Sequence, residues 1–293
     1  MKFAVITFAQ TTDTDGGTAA GPDALLRAGL TGWLRAGGHD ASGPFAVELT
    51  ASEEGAYGAW NKIGLANAHL ARLVWEAAQA NAFPLILQSN CYAAIGVLAG
   101  LQMSSCVPLP RIGVVWVDAH GDCNTPETTL SGMLSGMPVA IASGLCLDRF
   151  RKQAGLEPAI DPRDIVMVCV RATDPLEQDL IDRTGIEIVP VADIKGSRRA
   201  LHAAMQRLSS SVDRIYVHFD VDALDSSEVA SMWLTAPGGP TWRELAAAMK
   251  IIIAYPKIAA FAVSDINPER DKDGKMTEAA LAVIEGAIAG LAG

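Results

Sequence analysis

Two strand-like runs, about a hundred residues apart, each end in closely spaced acidic and imidazole side chains. The first, Ile112-Gly113-Val114-Val115-Trp116-Val117, runs into Asp118-Ala119-His120-Gly121-Asp122. The second is Val217-His218-Phe219-Asp220-Val221-Asp222-Ala223-Leu224-Asp225. Alternate side chains of a strand share a face, so Asp118 projects with His120, and His218 with Asp220 and Asp222. Unpaired charge at the end of a buried strand is strongly disfavoured. A solvated turn would account for either ending alone. The two can meet only if both strands lie in one sheet, and together they point to a bound cation.

The rest of the chain supplies such a sheet. Apolar, β-branched runs occur at Lys2–Phe8, Phe83–Leu87, Arg111–Val117, Ile165–Val170, Glu187–Val191, Arg214–Phe219 and Ile258–Val263. Helical periodicity fills the intervals at Pro22–Arg35, Tyr57–Ala80, Tyr92–Gln102, Gly132–Ala142, Leu176–Arg183, Ser197–Leu208, Trp242–Ile252 and Thr277–Ala289. Continuous apolar strands alternating with helices predict an α/β fold with a mostly parallel sheet covered on both faces. No repeat, low-complexity tract or linker divides the 293 residues, so residues 1–293 are expected to form a single catalytic domain. In an open parallel sheet, ligands bind beyond the carboxyl ends of the strands, where Cys91, Asp118 to Asp122, Asp220 and Asp222 all fall. Loops at Gln10–Gly17 and Ser226–Pro240 are expected to border that site.

A formal net charge of −10 argues against nucleic acid or an anionic membrane as partner, since both require basic surface. The first residues carry one Lys and a short apolar run, which suits a first strand rather than a signal peptide. No apolar stretch approaches the ~20 residues of a membrane span. Five cysteines without paired spacing suggest no disulfide framework, and a cytoplasmic location is expected.

The segments Asp118 to Pro126 (DAHGDCNTP), Ser131 with Gly136-Met137-Pro138, and Phe219 to Asp225 (FDVDALD) resemble the arginase family, the ureohydrolases. Gly16 to Leu30 and Asp265-Ile266-Asn267-Pro268 agree with it, in family order. The resemblance implies a three-layer α/β/α fold with two Mn²⁺ per chain at the sheet rim. Asp118 and Asp220 would bridge the metals, Asp122 would complete one shell, and His120 with Asp222 the other. Hard oxygen donors with imidazole suit Mn²⁺. Two such ions, about 3.5–4 Å apart, share a hydroxide that attacks the guanidino carbon of a small guanidino substrate. Asp118, His120 and Asp265 would form the catalytic centre. The chain ends soon after its last helix, without the extension by which family trimers clasp a neighbour, so a monomer is expected.

Two positions depart from the family pattern. Gln88-Ser89-Asn90-Cys91-Tyr92 stands where the family usually has Gly-Gly-Asp-His-Ser, which puts Cys91 at the position of a ligating His. A thiolate is a competent but softer ligand and gives a weaker Lewis acid. The alternative is a buried apolar cysteine in a site that has lost a metal. Ser135 stands where arginases carry a His that shuttles a proton to the leaving amine, and serine does not titrate near neutral pH. A less basic guanidine would need less help, and an added oxygen could fill the space at Ser135. These replacements resemble the amidinohydrolases of D-cycloserine biosynthesis, the branch that cleaves N-omega-hydroxy-L-arginine to hydroxyurea and L-ornithine.

The amino-acid end of the substrate matches arginases more closely. Asn124 and Ser131 occupy the α-carboxylate positions and Asp174 the α-ammonium position, although Ala172 replaces an acidic neighbour. Asp265 stands one methylene short of the family's Glu facing the guanidinium. Each also suits a local role, as a turn, cap or strand-end residue. His39, His69 and His202 lack a partner motif and are expected to be surface or satisfied histidines, while His218 could lie behind the ligands. Cys106, Cys123, Cys146 and Cys169 are expected to be small buried hydrophobes. Two other functions fit: an ordinary arginase or other guanidino-acid hydrolase such as an agmatinase-like enzyme, or a metal-poor relative that only binds. Retained Asn124 and Ser131 count against a decarboxylated substrate such as agmatine.

Overall fold

A computed structural model describes residues 1–12, 17–103, 108–229 and 236–291. Gly16 and Cys106 lie outside the described residues, as do parts of the loops at 10–17 and 226–240. Eight strands form one sheet: β1 (Lys2–Phe8), β2 (Asp40–Ala46), β3 (Phe83–Gln88), β4 (Ile112–Val117), β5 (Ile165–Val168), β6 (Glu187–Val189), β7 (Arg214–Asp220) and β8 (Ile258–Ser264). Their order across the sheet is β2-β1-β3-β8-β7-β4-β5-β6. Every pairing is parallel, so the sheet is wholly rather than mostly parallel among the described residues.

Both faces of the sheet are covered, which explains the unbroken apolar strands. β3 and β4 are buried at every position. Along β4, Val115 and Val117 join one core, and Val114 and Trp116 the other. The first core packs beneath helices Gly21–Arg27, Leu30–Ala36, Arg199–Ser211, Trp242–Ile253 and Lys275–Leu291. The second packs beneath Ala59–Gln79, Ala94–Gln102, Pro138–Ala142 and Asp148–Gln153. The arrangement is the three-layer α/β/α sandwich. No helix among the described residues is long and apolar enough to cross a membrane.

The sequence-based elements differ from this fold in specific places. Strand β2 has no counterpart among them, because Gly43 and Pro44 interrupt its pattern and its outer residues are exposed at the sheet edge. The single helix expected over Pro22–Arg35 is two, broken where Gly29 takes φ 97°. The strand expected to reach Val170 stops at Val168, before Cys169 at φ 74°. That expected at Glu187–Val191 stops at Val189, and Val191 instead starts a short helix after Pro190. Over Gly132–Ala142 only Pro138–Ala142 is α-helical, after a 3-10 turn at Leu134–Gly136.

Candidate active site

The four central strands, β3, β8, β7 and β4, are neighbours, and each delivers one acidic or thiol side chain to the same rim. Cys91 opens a 3-10 turn three residues past β3, Asp265 follows β8, Asp220 ends β7 and Asp118 follows β4. A cleft of about 450 Å³ opens above them. Of the residues expected from the sequence, Cys91, Asp118, His120, Asp122, Asn124, Ser131, Ser135, Asp174, Asp220, Asp222 and Asp265 all line it. No described residue of the 10–17 loop lines the cleft, though Gln10 O accepts from Ser89 Oγ, two residues before Cys91, at 2.7 Å. The described part of the 226–240 loop does not line the cleft.

Backbone amides and neighbouring side chains fix the carboxylates. Asp118 Oδ1 accepts from the His120 amide at 2.7 Å, and its Oδ2 from Trp116 Nε1 at 3.1 Å. Asp222 Oδ1 accepts from the Ala119 amide at 3.2 Å, while Asp222 Oδ2 lies 2.9 Å from His120 Nδ1. Asp220 Oδ1 accepts from the Asp222 amide at 2.8 Å. Cys91 Sγ lies 3.0 Å from Asp220 Oδ2 and 3.2 Å from Asp265 Oδ2. Asp265, at φ 65°, also accepts from Asn90 Nδ2 at 3.1 Å and from the Ser264 hydroxyl.

Two groups of donors result. One atom each from Asp118, His120 and Asp222 fall within 4.8 Å of one another, and so do atoms of Cys91, Asp118, His218 and Asp220. Asp118 belongs to both. Asp122 lines the cleft but joins neither group, and its Oδ2, though buried, has no hydrogen-bond partner.

So much acid in one buried place raises proton affinity. Burial, then Asp222, pushes Asp118 up to about 7. Burial also lifts Asp122 and Asp220 well above the ordinary carboxylate range, and Asp265 to about 6. Burial and the charges of Asp265 and Asp220 push the Cys91 thiol well up, so it carries its proton. Asp222 runs the other way: burial opposes ionisation, but His120 holds it below the ordinary value. Burial opposes protonation of His120 as well, yet Asp222 and Asp118 raise it to about 12.

The substrate-side residues are tied into turns as well as facing the cleft. Asn124 Nδ2 donates to Asp174 Oδ2 at 3.2 Å and its Oδ1 accepts from Thr128 Oγ1 at 2.9 Å. Asp174 caps the helix Pro175–Thr184, its amide donating to Glu177 Oε2 at 3.0 Å. Ser131 Oγ accepts from the Met133 amide at 3.2 Å. His69 pairs with Glu53 at 2.9 Å, His202 with Tyr255 at 2.9 Å, and His39 packs edge-on against Phe3. Cys123 and Cys169 are buried, whereas Cys146 is only partly so.

Several contributors were not singled out as site residues from the sequence. Glu177 is largely buried at the wall of the cleft and accepts from the Cys123 amide at 2.9 Å, and it stands where a side chain at Gly121 would meet it. Arg171, half-buried, donates to six backbone carbonyls, among them Asp222, Ala223 and Leu224. Gly21 lets the helix Gly21–Arg27 approach the loop after β8, where an added Cβ would stand 2.3 Å from Ile266 O.

The donor set fits divalent cations. Four carboxylates, an imidazole and a thiol converge, and Asp122 Oδ2, Asn90 Oδ1 and His218 Nε2 are buried there without partners. Orphaned donors and acceptors gathered in one place are what a cation site presents before it is filled.

Known proteins share this fold. The sequence profile of the arginase family matches residues 2–289. An arginase of Bacillus caldovelox is 33% identical over 221 residues, covering 75% of this chain and 73% of that protein. The crystal structure of arginase from Bacillus subtilis superposes with a TM-score of 0.86 at 26% identity, covering 98% of each chain. The native structure of the Bacillus caldovelox arginase gives a TM-score of 0.85 at 28% identity, again over 98% of each. The chain is a member of the arginase family, hydrolases that cleave the C–N bonds of linear amidines.

Proposed function

We propose that this chain, acting as one catalytic domain over residues 1–293, hydrolyses N-omega-hydroxy-L-arginine to hydroxyurea and L-ornithine. Cys91, Asp118, His120, Asp122, Asp220 and Asp222 would hold two Mn²⁺, with Asp118 and Asp220 shared. Bound there, two divalent cations supply neutralisation of the buried acid and acidification of water. The observation that carries the reading is that Cys91 and Ser135 line one cleft together with Asp118, His120, Asp122, Asp220 and Asp222.

The chain's own groups account for the preference. Ser135 leaves room beside the reacting centre and offers a hydroxyl to the oxygen of an N-hydroxyguanidine, which accepts and donates hydrogen bonds. Hydrolysis of an ordinary guanidinium adds water at its central carbon and expels an alkylamine, which must take up a proton as it departs, and Ser135 does not supply one near neutral pH. Asn124 and Ser131 would take the α-carboxylate and Asp174 the α-ammonium, fixing which carbon lies over the rim. Asp265, shorter than Glu, sits beside Cys91 and Asn90 and leaves space for the larger head group. Formation of D-cycloserine, an antibiotic, as the pathway rests on the same two replacements.

The test is parallel turnover of L-arginine and N-omega-hydroxy-L-arginine by manganese-loaded protein, following ornithine. A preference of at least about tenfold in kcat/KM for the hydroxylated substrate, 1.4 kcal/mol in barrier, is expected. Equal or better use of arginine would return the protein to the ordinary arginases. Bound metal with no turnover of either would redirect the search to other guanidino acids, and failure to bind metal would favour a binding role.

A further inference from the structure

One buried titratable side chain at the rim has no place in the ligand set above. His218 lies on β7, two residues before Asp220 and on the same face, fully buried. Its Nδ1 stands 3.0 Å from Tyr216 Oη and 3.5 Å from Gln88 Nε2. Its Nε2 has no hydrogen-bond partner. A nitrogen of this ring falls within 4.8 Å of donor atoms of Cys91, Asp118 and Asp220. Tyr216 and Gln88 both lie at Nδ1, so Nε2 is the nitrogen left without a partner.

We propose that His218 Nε2 is a ligand of the metal held by Cys91, Asp118 and Asp220, restoring from β7 the imidazole that Cys91 replaced on the turn after β3. The inference rests on the metal-centre reading above. Three features of the surroundings suit the role. A ligating imidazole needs its second N–H held by an acceptor, and Tyr216 Oη is placed to accept from Nδ1. Trp116 stacks flat on the ring, 3.7 Å between centroids and 10° between planes, which stops it turning. The same indole donates to Asp118 Oδ2 at 3.1 Å, so one side chain orients two ligands of one ion. A buried nitrogen without a partner is otherwise costly to keep.

The two metal positions would then differ in kind. Thiolate with imidazole on one side favours softer ions than the carboxylate-rich group of Asp118, His120 and Asp222 on the other.

The test uses the full chain with isotope-labelled histidine, freed of metal and titrated with Cd²⁺, a diamagnetic ion that accepts thiolate and imidazole. Long-range proton–nitrogen spectra report each ring nitrogen, and the His218 signals are assigned by their loss in His218→Phe. The expected result is that Nε2 of His218 and a nitrogen of His120 both shift to coordinated positions. If only His120 shifts, His218 is not a ligand and the metal centre stands without it. If neither shifts in folded protein, the metal-centre reading fails as well. His218→Phe keeps an aromatic ring against Trp116 and should weaken binding of one ion by about 10²-fold. Unchanged affinity in a folded variant overturns the proposal, and if that variant does not fold the wild-type spectra decide.

Discussion

Cys91 Sγ and Asp220 Oδ2 stand 3.0 Å apart with the thiol proton between them and Asp265. A metal can take both as ligands only by displacing that proton. Replacing Cys91 with His removes this cost and a negative ligand at once. Cys91→His is expected to bind Mn²⁺ about tenfold more tightly and to raise arginine turnover, because a neutral ligand leaves the metal a stronger Lewis acid. Calorimetric Mn²⁺ titration and ornithine release measure the two effects. Weaker manganese binding by Cys91→His would count against Cys91 as a ligand.

Ser135 gives a second handle on the same preference. Ser135→His should raise kcat for L-arginine by about 10²-fold, the scale of a positioned general acid. The pH profile for arginine should gain a limb near the ordinary imidazole value, about 6.5. Hydroxyarginine should gain far less and lose affinity as the ring fills the space beside Ser135. Unchanged arginine kinetics would show that the missing proton donor is not what limits this site.

How much of this was legible depended on whether a residue's role was written in local pattern. Asp118 to Asp122 and Phe219 to Asp225 announce themselves because strand alternation and ligand type coincide within a few residues. The sheet followed from the same runs, since burial on both faces leaves no polar alternation in β3 or β4. Strand β2 did not follow, because pairing with β1, rather than its own Gly- and Pro-containing sequence, makes it a strand. His218 was legible only as sharing a face with Asp220. Tyr216 lies two residues earlier on its own strand, but Trp116, which stacks on its ring, is brought to it only by the sheet register.

Acid crowding makes the metal-free protein's stability depend on pH in a defined direction. Asp118 at about 7 and Asp265 at about 6 hold protons in the folded chain that the unfolded chain, titrating near 4, has lost. The folded state therefore binds more protons between about pH 4 and 7, and its stability falls as pH rises through that window. His120, raised to about 12 against about 6.5 unfolded, continues the fall on the alkaline side. The Tm of metal-free protein should drop as pH goes from about 5 to 8. Saturating Mn²⁺ should reverse the slope, since each ion displaces protons and binds better as they leave. Parallel thermal melts with chelator and with metal test this, and a metal-free Tm that rises over that window would contradict it.

Arg171 ties the strand-end loop that carries Asp222. Its guanidinium donates to the carbonyls of Cys169, Asp222, Ala223, Leu224, Ala236 and Pro237 at 2.8–3.2 Å. No carboxylate is among these partners, so its fork is spent on shaping two loops rather than on pairing charge. Five fixed N–H donors suit that task, whereas a lysine offers three from one atom. Arg171→Met should cost on the order of 3 kcal/mol by leaving buried carbonyls unsatisfied. Arg171→Lys should recover less than half. In both, metal affinity should fall with stability, because Asp222 Oδ2 is the partner of His120 at 2.9 Å and moves with its loop. Denaturant unfolding and Mn²⁺ titration of the same samples separate the outcomes. A stability loss with unchanged metal affinity would mean that the loop keeps Asp222 in place without Arg171.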